Sequence, residues 1–146
     1  MDRTIRKYKQ EDLNDVLASW ESASRVAHSF LTDEFLEKER HDIPDVYLPN
    51  AETWVAEQDG QVIGFITLVS HEVGGIFVKA EFHGTGAGKA LMDKARELHG
   101  YLEVEVFEKN ITGRKFYSRY GFQYLAESIH KETGNKILRL KFTFNQ

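Results

Sequence analysis

Seven residues, His83-Gly84-Thr85-Gly86-Ala87-Gly88-Lys89, could do chemistry through their backbone alone. Three alternating glycines leave peptide N–H groups uncovered by side chains. Behind them Ala87, Ala90, Leu91, Ala95 and Leu98 recur at helical spacing, so a helix N-terminus with its partial positive charge would face the same spot. Bare amides and a helix N-terminus together make a cradle for phosphate or pyrophosphate. A tight turn that simply needs positive φ is the structural alternative.

The spelling of the loop narrows its ligand. A Walker P-loop would need glycine where His83 stands and Ser or Thr where Ala90 stands, and both positions fail. A Gly-x-Gly-x-x-Gly dinucleotide fingerprint fails as well, because its third glycine would fall on Lys89 or Leu91. A pyrophosphate cradle of a third kind survives. A second segment, Asn110-Ile-Thr-Gly-Arg-Lys-Phe-Tyr-Ser-Arg-Tyr-Gly-Phe122, gathers an amide, aromatic rings and two phenols. Its rings Phe116, Tyr117 and Tyr120 also read as core aromatics of a short helix.

The elements that must hold these residues follow from periodicity. Thr4 to Tyr8 reads as a first strand. Asp12, with Asp15 three residues on, reads as the cap of a helix whose buried face is Leu13, Val16, Leu17 and Trp20. A second, charged helix runs from Asp33 to about Asp45, with Phe35 and Leu36 as apolar anchors and a stop near Pro44. Thr53–Gln58 and Gln61–Ser70 flank Asp59-Gly60, which suits a type I′ hairpin turn. Gly74–Lys79, the glycine loop with its helix, and Leu102–Phe107 form a strand–helix–strand unit, which implies parallel strands and a right-handed crossover. A helix over Ile111–Tyr120, ended by Gly121, leads to two last strands around Glu132-Thr133-Gly134-Asn135. The result is a mixed sheet with helices on its faces, α/β or α+β, in a single domain spanning residues 1–146.

Composition sets further bounds. The chain is 41% hydrophobic, enough for one core, and has no stretch long enough to span a bilayer. It has no cysteine, which removes disulfides, thiolate metal sites and a cysteine nucleophile. A formal net charge of −4 argues against nucleic acid and mildly favours cationic partners. With a charged N-terminus in place of a signal peptide, the expected setting is cytoplasmic, without membrane or metal, as a monomer or homodimer.

The two motifs together resemble the GCN5-related N-acetyltransferases. The loop is similar to that family's Gln/Arg-x-x-Gly-x-Gly/Ala signature, here His83-x-x-Gly86-x-Gly88, and Asn110–Phe122 is similar to its Asn-x-x-Ala/Gly-x-x-Phe-Tyr-x-x-x-Gly-Phe element. His83 departs from the usual Arg or Gln, and Ala80 stands where many members have proline. The resemblance spans nearly the whole chain. It implies a mostly antiparallel mixed sheet with a central splayed parallel pair, and acetyl-CoA as co-substrate. His83, Gly84, Thr85, Gly86, Ala87, Gly88 and Lys89 would hold its pyrophosphate. Ile76, Phe77 and Val78 would face its pantetheine across a gap from Glu103–Val106, pairing with it like an added strand. Asn110 would bind near the pantetheine or fix the helix start, and Tyr117 would be the general acid, a phenol of pKa about 10 suiting a thiolate leaving group. Glu105 heads the candidates for the base, with Glu103, Glu72 and His28 as others. His28 and Phe30 would border the acceptor, a primary amine of a protein lysine, a protein N-terminus or a small molecule. The acidic run Asp33, Glu34, Glu37, Glu39 would suit a cationic partner or be a solvated face. A catalytically weak acyl-CoA sensor and a nucleotide-binding domain are the competing readings.

Overall fold

A computed structural model describes residues 2–143; residue 1 and residues 144–146 of the expected domain lie outside the described ones. The chain runs β1 (Arg3–Lys7), α1 (Leu13–Ala27), α2 (Asp33–Asp42), β2 (Glu52–Gln58), β3 (Gln61–Val69), β4 (Glu72–Val78), α3 (Ala87–His99), β5 (Leu102–Phe107), α4 (Ile111–Tyr120), β6 (Gln123–Ile129) and β7 (Lys136–Phe142). The seven strands form one sheet in the order β1-β2-β3-β4-β5-β7-β6. Every neighbouring pair is antiparallel except β4 and β5. This is the expected mixed, mostly antiparallel α/β architecture. At the β2–β3 turn Asp59 (φ 53°) and Gly60 (φ 81°) both take positive φ, as a type I′ hairpin requires.

Helices cover both faces. Leu91, Met92 and Ala95 of α3 pack with Ile66, Leu68, Val104 and Leu140 on one side, joined by Tyr117 and Phe122. Val16 and Trp20 of α1 pack with Val55, Phe65 and Ile43 on the other. A strand between two covered faces has no solvent side, so Val62 to Leu68 of β3 is buried without alternation.

One local expectation changes, and one element continues in another form. Asp12 does not cap α1. Its carboxylate accepts from both terminal nitrogens of Arg6, at 2.9 and 3.0 Å, and from the Lys9 N–H at 2.8 Å. α2 ends at Asp42, just before Pro44 as expected, but the chain stays helical. A π-helical turn, Ile43–Tyr47, follows, with the Leu48 N–H bonded to the Ile43 carbonyl. Pro44 stands at the start of that turn, where its missing N–H is tolerated, and Val46 and Tyr47 remain exposed.

The Arg6–Asp12 pair ties β1 to the start of α1, and the Arg6 guanidinium holds the Asp12 carboxyl below its ordinary range. Its side chain is 7% exposed, so loss of the charge is expected to matter. Asp12→Asn should cost about 2 kcal/mol at neutral pH. A depressed carboxyl contributes stability above its unfolded pKa and loses it as pH falls through the folded value. The gap between wild type and variant in urea unfolding should therefore close on the acid side; a gap independent of pH would contradict the assignment.

Candidate active site

The site begins where two strands part. β4 and β5 pair only at Glu72 with Glu103 and Val73 with Val104. Gly74 is then an extra residue against β3, where the register slips between Thr67 and Leu68. A bulge bends its strand, and β4 leaves β5 at this point. Beyond it β4 pairs with β3 alone, and Glu105 to Phe107 pair with β7 alone. The Lys79 N–H reaches the Ile63 carbonyl on the β3 side at 2.9 Å. Alternation along the strand therefore turns the peptide groups of Val78 and Ile76 into the gap. The expected gap is corrected in two respects: Glu103 and Val104 remain paired, and the Phe77 peptide faces β3. The Phe77 ring packs instead on Phe65, with centroids 5.4 Å apart.

The glycine loop lies at the C-terminal end of β4. Gly84 (φ 77°) and Gly86 (φ 93°) both sit in the left-handed region. α3 then starts with no side-chain cap and no acidic residue in its first turn. The N–H groups of Ala87, Gly88 and Lys89 are left for a ligand, and this cradle fits a pyrophosphate. Gly88 serves another purpose. A Cβ there would stand 3.0 Å from the Phe116 ring, so its bareness lets α4 approach α3. Lys89 directs its ammonium along the helix to Asp93 at 2.9 Å and offers the loop only its N–H. His83 turns back, its Nε2 2.7 Å from the Val78 carbonyl at the edge of the gap. Arg3, absent from the sequence-level candidates, reaches the Thr85 carbonyl and hydroxyl at 3.0 and 3.1 Å. It lies 82 residues away in the chain, and only the β1–β2 pairing brings it there.

α4 closes the gap from the same side. Asn110 Oδ1 accepts from the Gly113 N–H at 2.8 Å, so this residue fixes the helix start. Tyr117 is 6% exposed and belongs to the same apolar cluster as Val78 and Val106, with Ile76 packed against it. Its ring meets Phe116 and Phe122 edge-on at 5.5 and 5.4 Å. Burial pushes the phenol above its ordinary pKa, so it stays protonated.

On the opposite face a cavity of about 500 Å³ reaches from Gly74, Glu105 and Phe107 to Glu39, Tyr47 and Leu48. His28 lines it. Burial lowers the His28 pKa to about 4, so its ring is neutral at physiological pH and a weak base. Phe30 is not in the lining; it packs edge-on against His28 and Phe107, at 6.0 and 5.5 Å, and supports them from behind. The three candidate glutamates share one guanidinium. Arg139 donates to Glu72, to Glu103 at 2.7 Å and to Glu105 at 3.2 Å. Of the three only Glu105 lines the cavity. Three carboxylates on one cation leave an excess of negative charge where an ammonium would approach. Arg139 was missed because its place beside Glu105 depends on the β5–β7 register.

A profile of the acetyltransferase (GNAT) domain matches residues 49–124. The chain is 30% identical to the peptidyl-lysine N-acetyltransferase YiaC of Escherichia coli (strain K12), covering 88% of this chain and 89% of that one. It is also 30% identical to the peptidyl-lysine N-acetyltransferase YjaB of Escherichia coli (strain K12), over 97% and 96%. The solution structure of apo YjaB superposes with a TM-score of 0.86, at 26% identity and 97% coverage of both chains. The PaiA N-acetyltransferase of Thermoplasma acidophilum, solved with coenzyme A, has the same fold, with a TM-score of 0.79 at 20% identity over 97% of this chain and 100% of that one.

Proposed function

This chain belongs to the GNAT family of N-acetyltransferases, and from that premise we propose that it moves the acetyl group of acetyl-CoA directly to a primary amine, a protein lysine above all. The observation that carries the reading is the gap between β4 and β5, open at Ile76 and Val78, with the glycine cradle at one end and the acidic cavity at the other. A thioester lying along that gap would have its phosphates at Gly84–Lys89. The two relatives named as peptidyl-lysine N-acetyltransferases support lysine as acceptor.

Each residue then has a task. An inward N–H of Ile76 or Val78 supports the negative charge that develops on the carbonyl oxygen as the amine nitrogen bonds to the carbonyl carbon. Glu105, directly or through water, accepts the proton that nitrogen sheds. Tyr117 gives its hydroxyl proton to the sulfur as the C–S bond breaks. Positioning supplies much of the remaining rate. The neutral His28 shapes the acceptor wall, and the ring of Phe30 backs it from outside the lining.

The sensor alternative has one observation in its favour. His83 is spent on the Val78 carbonyl, which withdraws a side chain from the phosphates. Thiol release from acetyl-CoA across a panel of amines and lysine peptides separates the two. Amine-dependent release is expected; binding without turnover would favour the sensor.

A further inference from the structure

The acceptor cavity carries charge of one sign at two places. Among its described lining residues Glu39 and Glu105 are the only carboxylates, and no lysine or arginine is present. Glu105 sits on β5 beside the gap. Glu39 sits on α2, on the stripe where Phe35, Leu36 and Ile43 line the same cavity, a position whose spacing asks for an apolar side chain. It is held there: the Tyr47 hydroxyl, which also lines the cavity, donates to its Oε2 at 3.0 Å. Burial raises the Glu39 pKa above the ordinary carboxylate value, with the Tyr47 hydrogen bond and Lys38 opposing and Asp42 and Glu132 adding to the rise. A half-buried carboxylate facing a cavity is costly unless a cation joins it. Apolar walls from Trp20, Leu36, Phe65 and Phe77 lie in the same lining as the two carboxylates.

We propose that the acceptor carries two cationic groups joined by an apolar stem, with the reacting amine at Glu105 and the second cation on the Glu39–Tyr47 pair. This rests on the acetyltransferase reading and adds its substrate class. The second charge comes either from a free diamine or from a basic neighbour of an acetylated lysine, and the two sources are tested in separate arms.

In one arm kcat/KM is measured for α,ω-diaminoalkanes of graded length against the matching n-alkylamines. In the other it is measured for lysine peptides flanked by arginine or by alanine. A charge-assisted hydrogen bond of ordinary strength corresponds to a preference of about ten-fold or more for the dication. Glu39→Gln should collapse that ratio toward one, and Tyr47→Phe should lower it by a smaller factor. A preference confined to the diamines assigns a small acceptor, and one confined to the arginine-flanked peptides assigns a neighbouring side chain. Turnover without preference in either arm, or an equal fall for both members of a pair in Glu39→Gln, would overturn the proposal while leaving the acetyltransferase reading intact. A wild type that turns over no amine would overturn both.

Discussion

Tyr117→Phe should lower kcat by about ten-fold or more, equivalent to at least about 1.4 kcal/mol of barrier, while acetyl-CoA affinity stays within about two-fold. The substitution removes one oxygen and keeps the ring. The edge-on contacts with Phe116 and Phe122 that hold α4 in place therefore survive, and a loss of rate is not a loss of fold. Burial pushes the phenol above its ordinary pKa of about 10. The proton is thus in place throughout the neutral range, and ionisation of Tyr117 should not limit kcat as pH rises toward 10. The raised value also makes the phenol a poorer acid toward water, but the thiolate it serves would be desolvated in the same apolar cluster and raised with it. Steady-state kinetics with a matched binding titration checks both halves. Unchanged kcat would remove Tyr117 from the mechanism, and a parallel loss of affinity would make it a structural residue.

Gly86→Val should weaken acetyl-CoA binding by about ten-fold or more, read by titration calorimetry. Gly86 holds φ at 93° immediately before α3, where a β-branched residue is a strong outlier. A side chain there also has its Cβ 3.4 Å from the Arg3 guanidinium that ties Thr85 to β1. The loop must therefore move, and with it the N–H groups at the helix start. Strain of one to three kcal/mol at such a position, roughly five- to a hundred-fold in affinity, sets the scale. Because the residue is exposed and outside the core, thermal unfolding should change far less than binding. Binding equal to wild type would show that the cradle does not hold the pyrophosphate.

The fold was largely legible because its signals are local. Asp59-Gly60 announces a hairpin, the strand–helix–strand unit around the glycine loop implies the parallel pair, and Gly121 ends α4 in the left-handed region at φ 117°. The misreadings arose where partners come from afar. Asp12 has the spacing of a helix cap, yet Arg6 offers its carboxylate a bidentate ion pair, which outweighs a single N–H. Pro44 marks the end of α2 as propensity has it, but propensity gives no sign of the π turn that follows and brings Tyr47 to Glu39. Gly88 keeps its N–H at the helix start, and the Phe116 ring adds a packing reason for its bareness that spacing alone does not show. The site divides the same way. Gly84, Gly86, Asn110, Tyr117 and Glu105 could be named from two motifs and one strand. Arg3 and Arg139 could not, because strand register places them. Glu39 stood in plain view within an acidic run, and only the assembled cavity separates it from its solvated neighbours Asp33, Glu34 and Glu37.

Acetyl transfer to a lysine amine is read by mass analysis of a lysine peptide incubated with the protein and acetyl-CoA. One acetyl group on the lysine Nζ for each free thiol released is the expected result. Acetyl-CoA that stays intact beside every peptide offered, or thiol released with the peptide unmodified, would contradict it.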